Sequence, residues 1–290
     1  MASRVQVVTK PKLLPKNYKS EVKPTWCPGC GDFGVLASLY QAMAELQLDP
    51  VSTVVVSGIG CSSRLPFFVK TYGFQTAHGR VLPVAIGIKI ANPELTVIAV
   101  GGDGDGFSIG GGHLVHAVRR NPDITYVVMD NEVYGLTKGL TSPTSPLGFK
   151  TKSTPFGSSD APINPMAWAL ASGVSFAARG FSGEPKYLTN LIVQGIQHPG
   201  FAFIQSMSPC PTFYNTFDLW RPKIEKLPEN HDPSDRTQAM VQAFRDDSSP
   251  VGLFYKEMRP TLESQTRVTN HPMKDNAREY DVRALLATYR

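Results

Sequence analysis

A chain of 290 residues that is 41% hydrophobic can bury a substantial core, which excludes a disordered protein and leaves room for one large domain or two small ones. No apolar run approaches the roughly 18 residues of a membrane span, because Lys89 interrupts the one that follows Arg80. The net charge of +5 sits in residues 1–24, where Arg4, Lys10, Lys12, Lys16, Lys19 and Lys23 face Glu21 alone; the other 23 cations and 23 anions cancel.

Taken in chain order, residues 1–24 are rich in Lys and Pro and read as extended, either a solvated tail or an arm that lies on a partner or attracts an acidic protein. With one aromatic, Tyr18, and no fold motif for it, nucleic-acid binding explains the arm poorly. The first residues show no secretory or transit pattern, so the expected location is cytoplasmic. Helical spacing of Phe33, Val35, Leu36, Leu39, Met43 and Leu46 predicts a helix over 32–47, feeding a short buried strand at 53–56 that ends at Gly58 and Gly60. A helix near 84–91, a strand at 95–100, a glycine-rich turn, a helix near 110–120 and a strand at 124–129 follow. A loop rich in Ser, Thr, Pro and Gly occupies 137–160. Beyond it come a helix near 166–172, a short strand near Val174, a helix near 185–197 and a strand at 201–205. This alternation predicts an α/β fold, a mostly parallel sheet flanked by helices. Residues 211–290 are more polar, with one helix expected near 235–245 and no clear sheet. The expected organisation is a basic arm (1–24), a cofactor-binding domain (25–215) and a C-terminal extension (216–290).

The chain has four cysteines: Cys27 and Cys30 in a Cys-Pro-Gly-Cys turn, Cys61 after the 53–56 strand, and Cys210 after the 201–205 strand. Two disulfides are unusual inside a cell, and a redox Cys-x-x-Cys pair would leave the other two unexplained. A four-thiolate metal site uses all of them. Strand ends of a parallel sheet share one edge, so distant cysteines can converge there. Spacing alone leaves Zn²⁺ and a 4Fe-4S cluster both open.

Gly102-Asp103-Gly104 follows one apolar strand and Asn131 the next, 28 residues after Asp103. One strand-helix-strand unit has about this length, so both side chains reach the carboxyl edge of neighbouring strands. A carboxylate, an amide oxygen and a backbone carbonyl, with two diphosphate oxygens, suit octahedral Mg²⁺. The glycines admit phosphate, and the N-terminus of the helix near Gly110 is expected to favour it. No GxxxxGK[ST] occurs, and the Gly58 segment lacks the third glycine of GxGxxG.

Trp26-Cys-Pro-Gly-Cys-Gly31, Gly58-Ile-Gly-Cys-Ser62, His78-Gly-Arg80, Gly102-Asp-Gly-Asp105, Arg119-Arg-Asn121 and Asp130-Asn-Glu-Val-Tyr-Gly-Leu-Thr137 together resemble the β subunits of 2-oxoacid:ferredoxin oxidoreductases, in order over about residues 20–215. The resemblance implies a thiamine diphosphate-binding fold. It implies 4Fe-4S ligands at Cys27, Cys30, Cys61 and Cys210, and Mg²⁺ ligands at Asp103, Asn131 and the carbonyl of Val133. Thiamine diphosphate contacts carry over to Ile59, Gly60, Cys61, Ser62, His78, Gly104, Asp105, Gly135 and Leu136. It further implies oxidative decarboxylation of a 2-oxoacid, with coenzyme A taking the acyl group and ferredoxin the electrons, in an α₂β₂ assembly with a separate α subunit. In that setting His78 is expected near the diphosphate or the reacting carbonyl, and Arg64 and Lys138 near a distal carboxylate or the coenzyme A phosphates. Tyr134-Gly-Leu-Thr-Lys-Gly139 looks more like the 2-oxoglutarate branch than the pyruvate branch. A zinc-bearing non-redox decarboxylase and a cluster-carrying scaffold without catalysis are the rival readings.

Overall fold

The computed structural model describes residues 11–266. Arg4 and Lys10 of the basic arm and residues 267–290 of the expected C-terminal extension lie outside the described residues. In chain order the elements are α1 (Asp32–Glu45), β1 (Thr53–Ser57), β2 (Tyr72–Gln75), α2 (Val81–Ala91), β3 (Thr96–Gly102), α3 (Asp103–Phe107), α4 (Gly111–Arg120), β4 (Ile124–Asp130), α5 (Pro165–Ala171), β5 (Phe176–Phe181), α6 (Pro185–Gln197), β6 (Phe201–Met207), α7 (Phe217–Trp220), β7 (Ile224–Lys226), α8 (Arg236–Ala243), β8 (Ser249–Lys256) and α9 (Leu262–Gln265).

The strands form one eight-stranded sheet in the order β2-β1-β3-β4-β6-β5-β8-β7. All pairs are parallel except β5 with β8. The period of two divides the buried strands between two cores. Val54, Val56, Val97, Ala99, Tyr126 and Val128 face α2, α4, α5 and α8. Val55, Ile98, Val100, Val127 and Met129 face α1 and α6. Helix ends follow local chemistry. Asn164 caps α5 through Ala167 N–H, Asp235 caps α8, and α4 stops at Asn121 in the left-handed region with φ 55°.

Three segments depart from expectation. The strand β2, Tyr-Gly-Phe-Gln, is only four residues long and interrupted by glycine, and all four residues are exposed on the sheet's edge. The glycine-rich turn after β3 is a short helix, α3, which begins at Asp103 itself. Residues beyond 211 do contain sheet: β8 extends the strands of 25–215, although Pro250 and Gly252 read as strand breakers, and the pairing with β5 shifts register at Ala177/Ala178. Of the two readings of the arm, the described part does not fit a solvated tail. From residue 11 onward it packs on its own domain, with Tyr18 fully buried and its hydroxyl 2.9 Å from Met43 O and 2.7 Å from Leu48 O. Among the described residues no helix is long and apolar enough to cross a membrane.

Candidate active site

At the carboxyl edge of β1, β3 and β4 the loops enclose a cavity of about 200 Å³, lined among others by Ile59, Cys61, Ser62, His78, Asp103 and Asn131. Gly60, Gly104, Asp105, Val133, Gly135 and Leu136 complete the set that the sequence brought together from separate motifs. Arg64 and Lys138 do not line it. Lys138 is exposed, with φ 74°, directly after the lining residue Thr137. Arg64 donates its backbone N–H to Cys61 O at 3.2 Å, and its charge acts on the Cys61 sulfur. The helix meeting the cavity is α3; α4, expected to do so, starts too far along the chain.

Asp105 ties the walls together. Its Oδ1 accepts from Ile59 N–H at 2.9 Å and Gly79 N–H at 2.8 Å, and lies 3.1 Å from His78 Nδ1. One carboxylate thereby fixes the loop after β1 and the loop before α2 to the turn after β3. Gly58 is required here, since a Cβ would fall 2.0 Å from the Asp105 carboxylate. Gly104 is required for a similar reason: a Cβ would meet the Tyr134 ring at 2.1 Å, and Tyr134 donates to Gly104 O at 3.2 Å.

Behind Asp103 the acids are crowded. The Thr144 hydroxyl lies 2.9 Å from Asp103 Oδ2 and 2.9 Å from Asp130 Oδ1, and its single proton serves one carboxylate at a time. Gln205 Nε2 donates to Asp130 Oδ2 at 2.8 Å, and buried Arg179 donates to Gln205 Oε1 at 2.9 Å. Burial, and then the Asp130 charge, raises the Asp103 carboxyl; Glu132 is pushed up to about 9 by burial and by Asp130 and Asp103. Such a pocket is costly by itself and favours a bound cation. Asn131 Oδ1 accepts from Val133 N–H at 3.1 Å, fixing the turn that carries both. Thr144 did not stand out in the sequence, and Asp130 did so only as part of a motif.

The three cysteine segments are tied by hydrogen bonds. Trp26 Nε1 donates to Cys61 O at 2.7 Å, and Gly31 N–H to Pro209 O at 3.0 Å. A Cβ built on Gly135 would stand 3.6 Å from Cys61 Sγ and 3.7 Å from Cys210 Sγ, so both sulfurs reach the cavity loop. Burial, and then the Asp32 charge, pushes the Cys61 thiol up to about 11 and the Cys30 thiol higher still. Thiols so raised become ligands when a metal displaces their protons. Asp32, which sequence patterns do not single out, is 1% exposed, and burial raises its carboxyl to about 7, offset in part by a hydrogen bond with Cys30. Among the described residues no three His, Cys, Asp or Glu side chains are grouped to hold a single metal ion.

A parallel sheet with Asp103 and Asn131 on adjacent strand ends and glycine loops around them is the architecture of a thiamine diphosphate-binding domain. The family described as "Thiamine pyrophosphate enzyme, C-terminal TPP binding domain" matches residues 58–206, and the family of the C-terminal region of the pyruvate ferredoxin oxidoreductase beta chain matches residues 210–271. The chain is 44% identical over 274 residues to the 2-oxoacid:ferredoxin oxidoreductase subunit beta of Saccharolobus solfataricus, covering 89% of this chain and 90% of that one. It is 44% identical over 207 residues to the 2-oxoglutarate oxidoreductase subunit KorB of Mycobacterium tuberculosis, covering 71% of this chain and 56% of that protein. The solved 2-oxoglutarate:ferredoxin oxidoreductase from Magnetococcus marinus, with 2-oxoglutarate, coenzyme A and succinyl-CoA bound, superposes with a TM-score of 0.87 at 45% identity, covering 96% of both chains. The chain belongs to the β subunits of the 2-oxoacid:ferredoxin oxidoreductases.

Proposed function

We propose that the chain is the catalytic subunit of a coenzyme A-dependent 2-oxoglutarate:ferredoxin oxidoreductase, active with an α subunit in an α₂β₂ assembly. One observation carries the reading: Cys61 lines the same cavity as Asp103 and Asn131, while its sulfur and that of Cys210 both flank Gly135, 3.6 and 3.7 Å from where a Cβ would stand. Asp103, Asn131 and the carbonyl of Val133 would hold Mg²⁺, and the crowded acids behind Asp103 favour a cation there. Ile59, Gly60, Ser62, His78, Gly104, Asp105, Gly135 and Leu136 would contact thiamine diphosphate. Cys27, Cys30, Cys61 and Cys210 would ligate a 4Fe-4S cluster, whose iron offsets the cost of forming buried thiolates. When bound, thiamine diphosphate supplies the carbanion chemistry that breaks the C1–C2 bond of a 2-oxoacid, and a cluster supplies one-electron transfer.

The residues of this chain orient and enclose. Asp105 holds two loops and the His78 ring at the cavity wall, where His78 can exchange a proton with a reacting oxygen. Lys138, which follows the lining residue Thr137, would meet a distal carboxylate or a coenzyme A phosphate; Arg64, near Cys61, is the second candidate. One 2-oxoglutarate and one coenzyme A give succinyl-CoA, CO₂, a proton and two electrons, which leave singly to two ferredoxins. Support for 2-oxoglutarate comes from the bound molecules of the Magnetococcus marinus enzyme.

The test is coupled ferredoxin or viologen reduction by the co-expressed α and β subunits, with iron, acid-labile sulfide and thiamine diphosphate measured on the same anaerobic sample. The expected result is a kcat/KM for 2-oxoglutarate at least about tenfold above that for pyruvate, with the β chain inactive alone. Equal use of pyruvate would remove the substrate assignment, and zinc without sulfide would remove the cluster. Michaelis constants unchanged by Lys138→Ala would remove Lys138.

A further inference from the structure

The excess positive charge of the chain is all in residues 1–24, and the structure gives the described part of that segment a fixed place. Ser20 N–H donates to Phe68 O at 3.0 Å, Ser20 Oγ to Phe67 O at 2.6 Å, and Lys70 N–H to Tyr18 O at 2.8 Å. With Tyr18 buried and Lys19 paired with Val69, these bonds set Lys19 beside Lys70; Lys23 follows four residues further along the same segment, and all three side chains are exposed. Glu21 is the only acid within residues 1–24.

The same segment leads within four residues to Cys27. Trp26 is buried against Phe33 and Phe68 at ring distances of 5.3 and 4.9 Å and is bonded to Cys61 O, so the segment is joined to the cysteine loops. The four sulfurs differ in access: Cys210 is buried, Cys30 and Cys61 are half-buried, and Cys27 is exposed. A group held by these four sulfurs would come closest to solvent at Cys27. Phe67, 53% exposed, adjoins the Phe68 whose ring packs on Trp26 next to Cys27, and its carbonyl holds Ser20, two residues before Val22, which is 52% exposed; the cations' segments therefore also carry apolar surface. A small apolar centre with a charged rim suits a short-lived complex, in which charge guides encounter and little area is buried.

We propose that the segments joined to Cys27, with the exposed cations Lys19, Lys23 and Lys70 and the exposed apolar Val22 and Phe67, are where an acidic ferredoxin docks. The inference rests on the catalytic reading above, since it requires a cluster at the cysteines. Each transfer reoxidises that cluster by one electron and reduces the ferredoxin by one; the 2-oxoacid supplies both electrons of a turnover. Long-range steering by clustered charge raises association rates by about 10- to 1000-fold at low ionic strength and fades as salt screens it.

The experiment compares the wild-type α₂β₂ holoenzyme with K19E/K23E/K70E and with the neutral K19Q/K23Q/K70Q. Acceptors are an acidic ferredoxin and methyl viologen, a small cation that needs no docking face, each assayed at low salt and at about 0.3 M salt, where the Debye length is short. The proposal expects kcat/KM for ferredoxin to fall about tenfold or more in the charge-reversed enzyme at low salt. The fall comes through KM, with a flattened salt dependence, an intermediate value for the neutral variant and unchanged viologen reduction. Wild-type ferredoxin kinetics in the charge-reversed enzyme would overturn it. Loss of viologen reduction or of α₂β₂ assembly in both variants would also overturn it, marking the face as a contact between the α and β chains. A cluster-loaded wild-type complex that reduces neither acceptor overturns the catalytic reading and this proposal with it.

Discussion

At the amino edge of the sheet the amide of Asn121 has all its polar atoms engaged, whereas at the carboxyl edge Asp103 and Asp130 share the single hydroxyl of Thr144. Asn121 Oδ1 accepts from Ser175 Oγ at 2.6 Å and Phe201 N–H at 2.9 Å, and Nδ2 donates to the carbonyls of Arg259 and Pro260 at 3.3 and 3.1 Å. Together these bonds tie the starts of β5 and β6 to the end of α4 and the segment before α9. A satisfied buried network of this kind rigidifies a fold. The carboxyl edge has the opposite character, with raised acids and thiols and an Asp105 oxygen, Oδ2, that finds no partner among the described residues. Burial without compensation works against folding and signals a site whose partners arrive from outside.

The largest effect should come from Asp103→Ala in the assembled enzyme. Loss of the carboxylate proposed to hold Mg²⁺ is expected to cost at least about 100-fold in activity and in retention of Mg²⁺ and thiamine diphosphate. Stability of the cofactor-free protein should hold or rise, because a crowded buried acid is gone. Equilibrium dialysis and thermal unfolding check the two halves. A large loss of stability would break the contrast, for it would make the carboxyl edge structural as well.

Asn121→Ala should do the reverse. It strands the Ser175 hydroxyl and the Phe201 N–H and places a residue less tolerant than Asn at φ 55°, so about 3 kcal/mol of stability should be lost. The kcat of the folded fraction and its cofactor affinity should stay near wild type. Urea unfolding beside activity titration measures both, and a specific loss of cofactor binding would show that the two edges are coupled.

How much of this was legible in the sequence follows the same division. Asp103 and Asn131 could be paired because each ends an apolar run and one strand-helix-strand unit separates them. The cysteines could be gathered because two of them end strands. Thr144 could not be found in this way: it lies in an aperiodic polar loop, and only the fold returns it to 2.9 Å from Asp103. Asp32 sat beside a recognised cysteine motif, but its burial comes from packing that no local pattern encodes. Asn121 and Asp130 read as parts of motifs, yet the role of Asn121 depends on Ser175, Phe201 and Pro260, all more than fifty residues away in sequence. Strands flanked by apolar neighbours were visible; β2 and β8, exposed or interrupted by Pro and Gly, were not.

The smallest effect sharpens the contrast through pH. His198 belongs to the amino edge, 1% exposed, with Nε2 2.9 Å from Ser175 Oγ. Since Ser175 donates its own proton to Asn121, the hydrogen between His198 and Ser175 belongs to Nε2. Burial, chiefly, with the charges of Lys256 and Arg259, lowers His198 from 6.5 to about 4. Between those two values the unfolded chain binds a proton that the native protein does not. The contribution of His198 is therefore complete above pH 6.5 and is lost as pH falls toward 4, by at most about 1.4 kcal/mol per pH unit. Raised acids act in the opposite direction: Asp32, pushed up to about 7, holds a proton in the native state over part of the same range. The informative quantity is thus the difference between wild type and His198→Gln, measured by urea unfolding from about pH 4 to about pH 8, a range that brackets the titration. That difference should narrow on acidification, because only the wild type pays to exclude the proton. A difference independent of pH would mean that the amino edge admits a charged imidazole and is less sealed than its bonding implies.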